Sequence, residues 1–152
     1  VAALEGLGVT VTEVGSLDDE AAVAAALRDN GCSTVVVTIR ATGTTLVPTE
    51  THLVNAAVSA GCVKRFVPDE WGVNTAALDG GECPLFDAKR TMQEKVKQSG
   101  LDWTLVFTGG FAHYHLPTFH WGSTLNTFGH LDTRFAAFHL DDIGALVAKA
   151  SL

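Results

Sequence analysis

The run STVVVTI, Ser33–Ile39, constrains this chain more than any other stretch. Its centre, Val35 to Val37, does not alternate apolar with polar, so an extended chain here would be apolar on both faces. A strand buried on both faces belongs to a parallel sheet covered by helices. The segment before it supplies such a helix. Leu17–Asn30 is rich in alanine, carries Asp18, Asp19 and Glu20 at its start, and stops at Gly31. Ser16 reads as its N-cap, with Asp19 three residues on. That grouping of hydroxyl and carboxylates is a cap and not a hydrolase triad.

The same alternation continues along the chain. Val1–Leu7 reads as the tail of a helix stopped at Gly8, and Val9–Gly15 (VTVTEVG) as a strand. A helix from about Val47 to Ala60 has Pro48 in its first turn and Gly61 as its stop. Val63–Pro68 (VKRFVP) reads as a strand, residues 72–84 as a loop, and Asp87 as the cap of a helix running to Ser99. Asp102–Phe107 and Phe135–Leu140 complete the strands, and Asp141 or Asp142 opens the last helix. Residues 108–134 show no clear period. Alternating strand and helix predicts an α/β fold, a doubly wound parallel sheet with right-handed crossovers. The chain has 152 residues, 47% of them apolar, which suits one domain over residues 1–152. Ligands of such sheets sit beyond the carboxyl ends of the strands, here Thr38–Thr42, Pro68–Gly72 and Thr108–Phe111.

Composition excludes several functions. The formal charge is −7 and no basic cluster stands out, which argues against nucleic acid as a partner. The longest apolar runs are strand-length, so no membrane span is expected. Cys32, Cys62 and Cys83 form no C-x-x-C pair and no zinc pattern, which reads as reduced thiols in the cytoplasm. His113, His115, His120 and His130 lack carboxylate or cysteine partners at ligand spacing, so they read as a substrate-pocket lining rather than a metal site. Tyr114 has no Y-x-x-x-K continuation and reads as packing. The chain opens and closes inside helices, which suggests a piece of a longer protein. Nothing in the sequence sets an oligomeric state.

Lys89 is the residue with chemical promise. At about 100° per residue, Met92, Gln93 and Val96 fall within about 60° of it, while Arg90, Glu94 and Lys97 fall on a polar face. With Asp87 as cap, Lys89 stands in the first helical turn on the apolar side. An ammonium there is costly unless it snorkels or faces a cavity, and a helix N-terminus disfavours a cation. A lysine so placed suits proton transfer near neutral pH. The plainer reading is a lysine snorkelling at the sheet edge. Asp69 and Glu70 are adjacent acids in a turn, a poor geometry for a shared proton. Glu70 is read as fixing that turn by hydrogen bonds.

Three stretches taken together, CVKRFVPDEWG, LFDAKRTMQEKVKQSGLDWTLVFTGGFAHY and FHLDDIGALVAKA, resemble the isoflavone reductase-like and NmrA-like branch of the atypical short-chain dehydrogenases. The strand and turn, the lysine of the next helix, the G-x-x-W-T strand, the F-x-x-Y and the late DIG occur in the family's order. The resemblance covers roughly Val9 to Ala150. It implies a Rossmann-like fold and identifies Lys89 as the family lysine, which lies near the nicotinamide and transfers a proton. It also implies that Thr38, Pro68, Gly110 and Phe111 line the cofactor site. There are departures. Asp69 stands where the family has serine, Gln93 where the plant enzymes often carry arginine, and TGGF replaces their asparagine before F-x-x-Y.

The family's opening strand, its G-x-x-G-x-x-G turn and the basic residue that selects NADPH have no counterpart in these 152 residues. The expectation is therefore a Rossmann-like sheet missing its first βαβ unit, with the nicotinamide side of the site present. The resemblance implies an NADP-dependent reductase, NAD being possible, that acts on an aromatic or conjugated small molecule. The other reading it implies is a non-catalytic dinucleotide-binding redox sensor that reports to a protein partner.

Overall fold

The structure, a computed structural model, describes residues 2–81, 83–113, 120–121, 124–125, 132, 134 and 136–151. The triple-valine run forms β1, Thr34–Val36, at the edge of a three-stranded sheet of order β1-β2-β3. β2 is Arg65–Val67 and β3 is Asp102–Trp103, and both pairings are parallel. Val35 lies opposite Phe66, and Phe66 opposite Trp103. The fold is thus α/β with a parallel sheet, as the alternation predicts.

Helices α1 (Ala2–Glu5), α2 (Glu20–Asp29), α3 (Leu46–Ala60) and α4 (Pro84–Gln98) precede the last helix, α5, Leu140–Ala150. α2 packs on α3 and α3 on α4, so the three lie side by side. Their apolar stripes meet one face of the sheet in a single core. Val23, Leu46, Leu53, Val54, Phe66, Met92 and Val96 are all buried there, with Val35 and Val37 facing the same way. Strand residues two apart share a face. Thr34 and Val36 therefore face the other side, where α5 lies: Thr34 Oγ1 donates to Ser151 O at 3.0 Å, and Val36 shares a cavity with Ile143 and Val147. Helices on both faces make the sheet doubly wound.

Several boundaries differ from the sequence reading. Val9–Gly15 is not a strand. A strand needs a partner edge, and among the described residues this segment has none. It is tied instead by the Val9 amide to Leu4 O and by Asn30 Nδ2 to Thr12 Oγ1, each at 3.2 Å. α2 is capped by Asp19, whose Oδ1 accepts Ala22 N–H at 3.0 Å, while Ser16 Oγ accepts only Asp18 N–H. α4 begins at Pro84, where a ring without an N–H fits the first turn, so Asp87 lies inside the helix. Within the aperiodic stretch, β4 (Gly110–Phe111) pairs in parallel with β7 (Ala137–Phe138). β5 (His120–Trp121) and β6 (Thr124–Leu125) form an antiparallel pair. Among the described residues no helix is long and apolar enough to cross a membrane, and the three cysteines are unpaired.

Phe66 is fully buried at the centre of this arrangement. Phe66→Ala should cost about 3–5 kcal/mol, against under about 1 kcal/mol for Val58→Ala, which is 47% exposed on α3. Urea unfolding followed by circular dichroism measures both. Equal costs would mean that the core is not centred on β2.

Candidate functional site

The segment that leaves β2 builds the site. Pro68 is buried, and Glu70 N–H donates back to Pro68 O at 2.8 Å, turning the chain tightly around Asp69. Trp71 follows at φ 37°, a left-handed conformation that a bulky residue adopts at a cost of about 1–3 kcal/mol. Its indole Nε1–H donates to Val37 O at 2.7 Å, tying this loop to the carboxyl end of β1. Gly109 N–H donates to Gly72 O at 2.9 Å, tying the same loop to the chain beyond β3. Gly109 itself is at φ 62°, and a Cβ there would stand 2.3 Å from Ala136 O. Only glycine fits that crossing. Gly43, after β1, is also held close against the start of α4, where a Cβ would meet Pro84 backbone at 2.8 Å.

Lys89 reaches this loop from α4. Its Nζ donates to the main-chain carbonyl of Glu70. Met92, Gln93 and Val96 are buried on the same side of the helix, as the periodicity predicts. Because α4 starts at Pro84, Lys89 falls in the second turn rather than the first, and the helix-terminus argument loses its force. Arg90 corrects a second expectation. It is not on a solvated face; its guanidinium binds Asp87 and donates to Thr75 O at 3.1 Å and Leu78 O at 3.5 Å, pinning the short 3-10 turn Thr75–Ala77.

Behind the lysine lies a buried polar network. The Glu70 carboxylate is 1% exposed and accepts from Gln93 Nε2 at 2.8 Å and Thr75 Oγ1 at 3.4 Å. It therefore fixes its turn, as expected of it. Glu50 of α3 is equally buried, and its Oε1 accepts Asp69 N–H at 2.8 Å. Its Oε2 has no hydrogen-bond partner among the described residues. Burial pushes the Glu50 carboxyl up to about 7, with Asp69 and Glu70 adding to the rise and the Asp69 amide and Lys89 opposing it. Burial also raises Asp69, again against the pull of Lys89. Glu50 went unmarked in the sequence, yet a signal was there. It occupies the apolar stripe of α3, four residues after Leu46 and three before Leu53, where a carboxylate is costly without a partner.

The carboxyl ends of β1 and β2 open onto a cavity of about 430 Å³. Thr38, Ile39, Asp69, Trp71 and Phe111 line it, with Ile143 and Val147 of α5 opposite. Of the expected site residues, the structure brings Thr38 and Phe111 together in this lining. Pro68 is buried in the turn, Gly110 donates its N–H to Ala136 O at 2.8 Å, and Lys89 meets the loop at Glu70 O. None of those three is among the lining residues. His113 stacks edge-on against His139 at 3.8 Å, and His120 lies in β5. Tyr114, His115 and His130 lie outside the described residues. Among those described, no cluster of histidine, cysteine or carboxylate is arranged to hold a metal.

Comparison with known proteins agrees with this geometry. The model of the NmrA-like family matches residues 1–150. Isoflavone reductase homolog P3 of Arabidopsis thaliana is 31% identical over 121 residues, which are 78% of this chain and 37% of that protein. Among solved structures, the leucoanthocyanidin reductase–NADPH complex of Vitis vinifera superposes with a TM-score of 0.81 at 23% identity, covering 99% of this chain and 52% of that one. The structure of AtPrR2 with NADP+ and (+)pinoresinol gives 0.79 at 23% identity, covering 99% and 51%. The chain thus spans a little over a third of the curated relative and about half of the solved chains.

The raised Glu50 carboxyl makes stability depend on pH. Below about 4.5 the group is protonated in both folded and unfolded chains. Between there and about 7 the unfolded chain releases the proton first, so stability falls as pH rises, and above 7 that loss is complete. The full effect is at most about 3 kcal/mol. Glu50→Gln keeps an acceptor for Asp69 N–H and cannot ionise. Relative to the parent, this variant should gain stability by up to that amount between pH 5 and pH 8, read from urea midpoints. A constant difference across the range would mean that Glu50 titrates normally.

Proposed function

Because the chain belongs to the NmrA-like family, we propose that it forms the substrate-facing part of an NADPH-dependent reductase acting on an aromatic or conjugated small molecule. The observation that carries the proposal is the position of Lys89. Lys89, which the resemblance identifies as the family lysine, holds its Nζ on the loop at the carboxyl end of β2, the same loop whose Asp69 and Trp71 line the cavity. NADPH, when bound, supplies a hydride to one carbon of the substrate. The proton that completes the reduction then has to come from a nearby acid. Lys89 carries that proton on Nζ, and its ammonium stabilises the negative charge developing on the substrate, a contribution of about 10²–10⁴-fold.

The residues present suit one end of the cofactor. Val36, Ile39 and Phe111 give an apolar wall for a flat ring, and Thr38 gives a hydroxyl at its rim. The pyrophosphate end requires a glycine turn at a helix N-terminus, and residues 1–152 contain no G-x-x-G-x-x-G. NADP is named on the strength of relatives solved with NADPH or NADP+. NAD is the other candidate, because the basic residue that would choose between them has no counterpart in these residues.

In the protein as its gene encodes it, Lys89→Met should keep NADPH binding and lower turnover by about 10²–10⁴-fold. Lys95→Met, on the exposed side of α4, should change it little. Arg90 is no control, since it pins the Thr75–Ala77 turn. Dinucleotide binding with no turnover in the parent protein would favour the redox-sensor reading instead. Residues 1–152 expressed alone should bind NADPH more weakly than about 1 mM. Fluorescence titration reads this, and micromolar saturation would show that these residues hold the phosphates without a glycine turn.

A further inference from the structure

Glu50 has no part in the proposed reaction, yet it is the most conspicuous polar group in the core. It is 1% exposed, has one oxygen satisfied by Asp69 N–H, and has the other without a partner among the described residues. The charged groups that act on it come from two elements. The loop after β2 contributes Asp69 and Glu70, and α4 contributes Lys89. α2, packed along the flank of α3, sends Glu20 to His52 and Asn55 instead. Arg90 is occupied by Asp87 and the Thr75–Ala77 turn. Glu50 Oε1 and Lys89 Nζ thus meet the same loop one residue apart, at Asp69 N–H and Glu70 O, and the ammonium is bonded there to a neutral carbonyl rather than to a carboxyl group.

We propose that Glu50 is a proton-controlled latch for Lys89: while Glu50 is protonated, Lys89 stays on the Glu70 carbonyl, and when Glu50 ionises, its partnerless Oε2 takes the ammonium and draws it off the loop.

The physical reason is a change in relative acceptor strength. A neutral carboxyl oxygen and a main-chain carbonyl are comparable acceptors, so the ammonium keeps the carbonyl. An ionised carboxylate forms a hydrogen bond roughly twice as strong. A buried carboxylate without a counter-charge also costs several kcal/mol, which the lysine removes by moving to it. The move relocates the proton donor from the loop that lines the cavity to α3, where Glu50 lines none of it. The proton on Glu50 therefore sets whether Lys89 is available. Glu50 is a positioning residue and not a catalytic one. Its effect on turnover rests on the reductase reading, while the latch itself does not.

The latch is tested in the protein as its gene encodes it. Trp71 follows Glu70 directly, so its environment reports the exchange. With 5-fluorotryptophan incorporated and the Trp71 resonance assigned by Trp71→Phe, 19F NMR should show a one-proton step with a midpoint near 7. Glu50→Gln should abolish the step and leave the resonance at its low-pH position. Glu70→Gln, which removes a like charge, should move the midpoint down. Lys89→Met leaves no ammonium to exchange and should remove the step, and a full step in that variant overturns the latch. In parallel, kcat should fall at least about tenfold between pH 6 and pH 9 with the KM for NADPH unchanged. That fall should be absent in Glu50→Gln. A Trp71 step that survives Glu50→Gln unchanged overturns the latch. A Glu50-dependent step in a protein without reductase turnover keeps the latch and overturns the reductase.

Discussion

The parallel pairing of β1 with β2 is the constraint on which everything else hangs. It continues past the ladder through Val37 N–H to Val67 O at 2.9 Å, so both strands end at the same level. Two chains leave the sheet side by side there, and neither can turn back without crossing the other's helix. One passes over the start of α4 at Gly43, and the other turns at Pro68 and is caught by the Trp71 indole. The cavity is the space those departures leave. Its position follows from strand direction, before any side chain is chosen.

Within that frame the charges settle where they do least harm. Glu50 and Glu70 are buried to the same extent but solve the problem differently. Glu70 has two donors on its carboxylate, from Gln93 and Thr75. Glu50 has one donor for two oxygens, and its burial favours the protonated acid. The difference lies in what each helix presents. α4 offers an amide at Gln93, whereas α3 offers only its apolar stripe. At Glu50 desolvation raises the carboxyl, and the single donor that favours its charged form does not outweigh it.

Much of this was legible in the sequence, and the failures share a cause. The parallel sheet, the bounds of α3 within a residue, the buried face of α4 and the turn-fixing role of Glu70 all follow from local periodicity and turn chemistry. Val9–Gly15 has a strand's alternation but no partner edge among the described residues, and pairing is not a local property. Asp87 looked like a cap, yet Pro84 had already started the helix, which shifted Lys89 by just over a turn. Arg90 looked solvated because a helical wheel shows which way a residue points and not what lies there. The turn at Thr75–Ala77, distant along the chain, covers it. Glu50 was visible only as a charge in an apolar stripe, and its meaning came from three groups on two other segments.

The two departures that the resemblance implies bear on the same network. Asp69, where the resemblance implies serine, puts a negative charge on the loop, and Gln93, where it implies arginine, puts a neutral amide on α4. Each alone is unfavourable beside Glu70. Taken together they would leave three carboxylates facing one ammonium, a net excess of two negative charges in a site largely shut off from water. The structure relieves that excess in two steps. Gln93 satisfies Glu70 with a neutral amide, so that carboxylate needs no counter-ion. Glu50 then keeps its proton up to about 7, which removes one of the two excess charges near neutral pH. An arginine at position 93 would supply the missing positive charge directly and leave Glu50 less reason to stay protonated. The protonation of Glu50 therefore goes with a neutral residue at position 93, a link between residues on neighbouring helices.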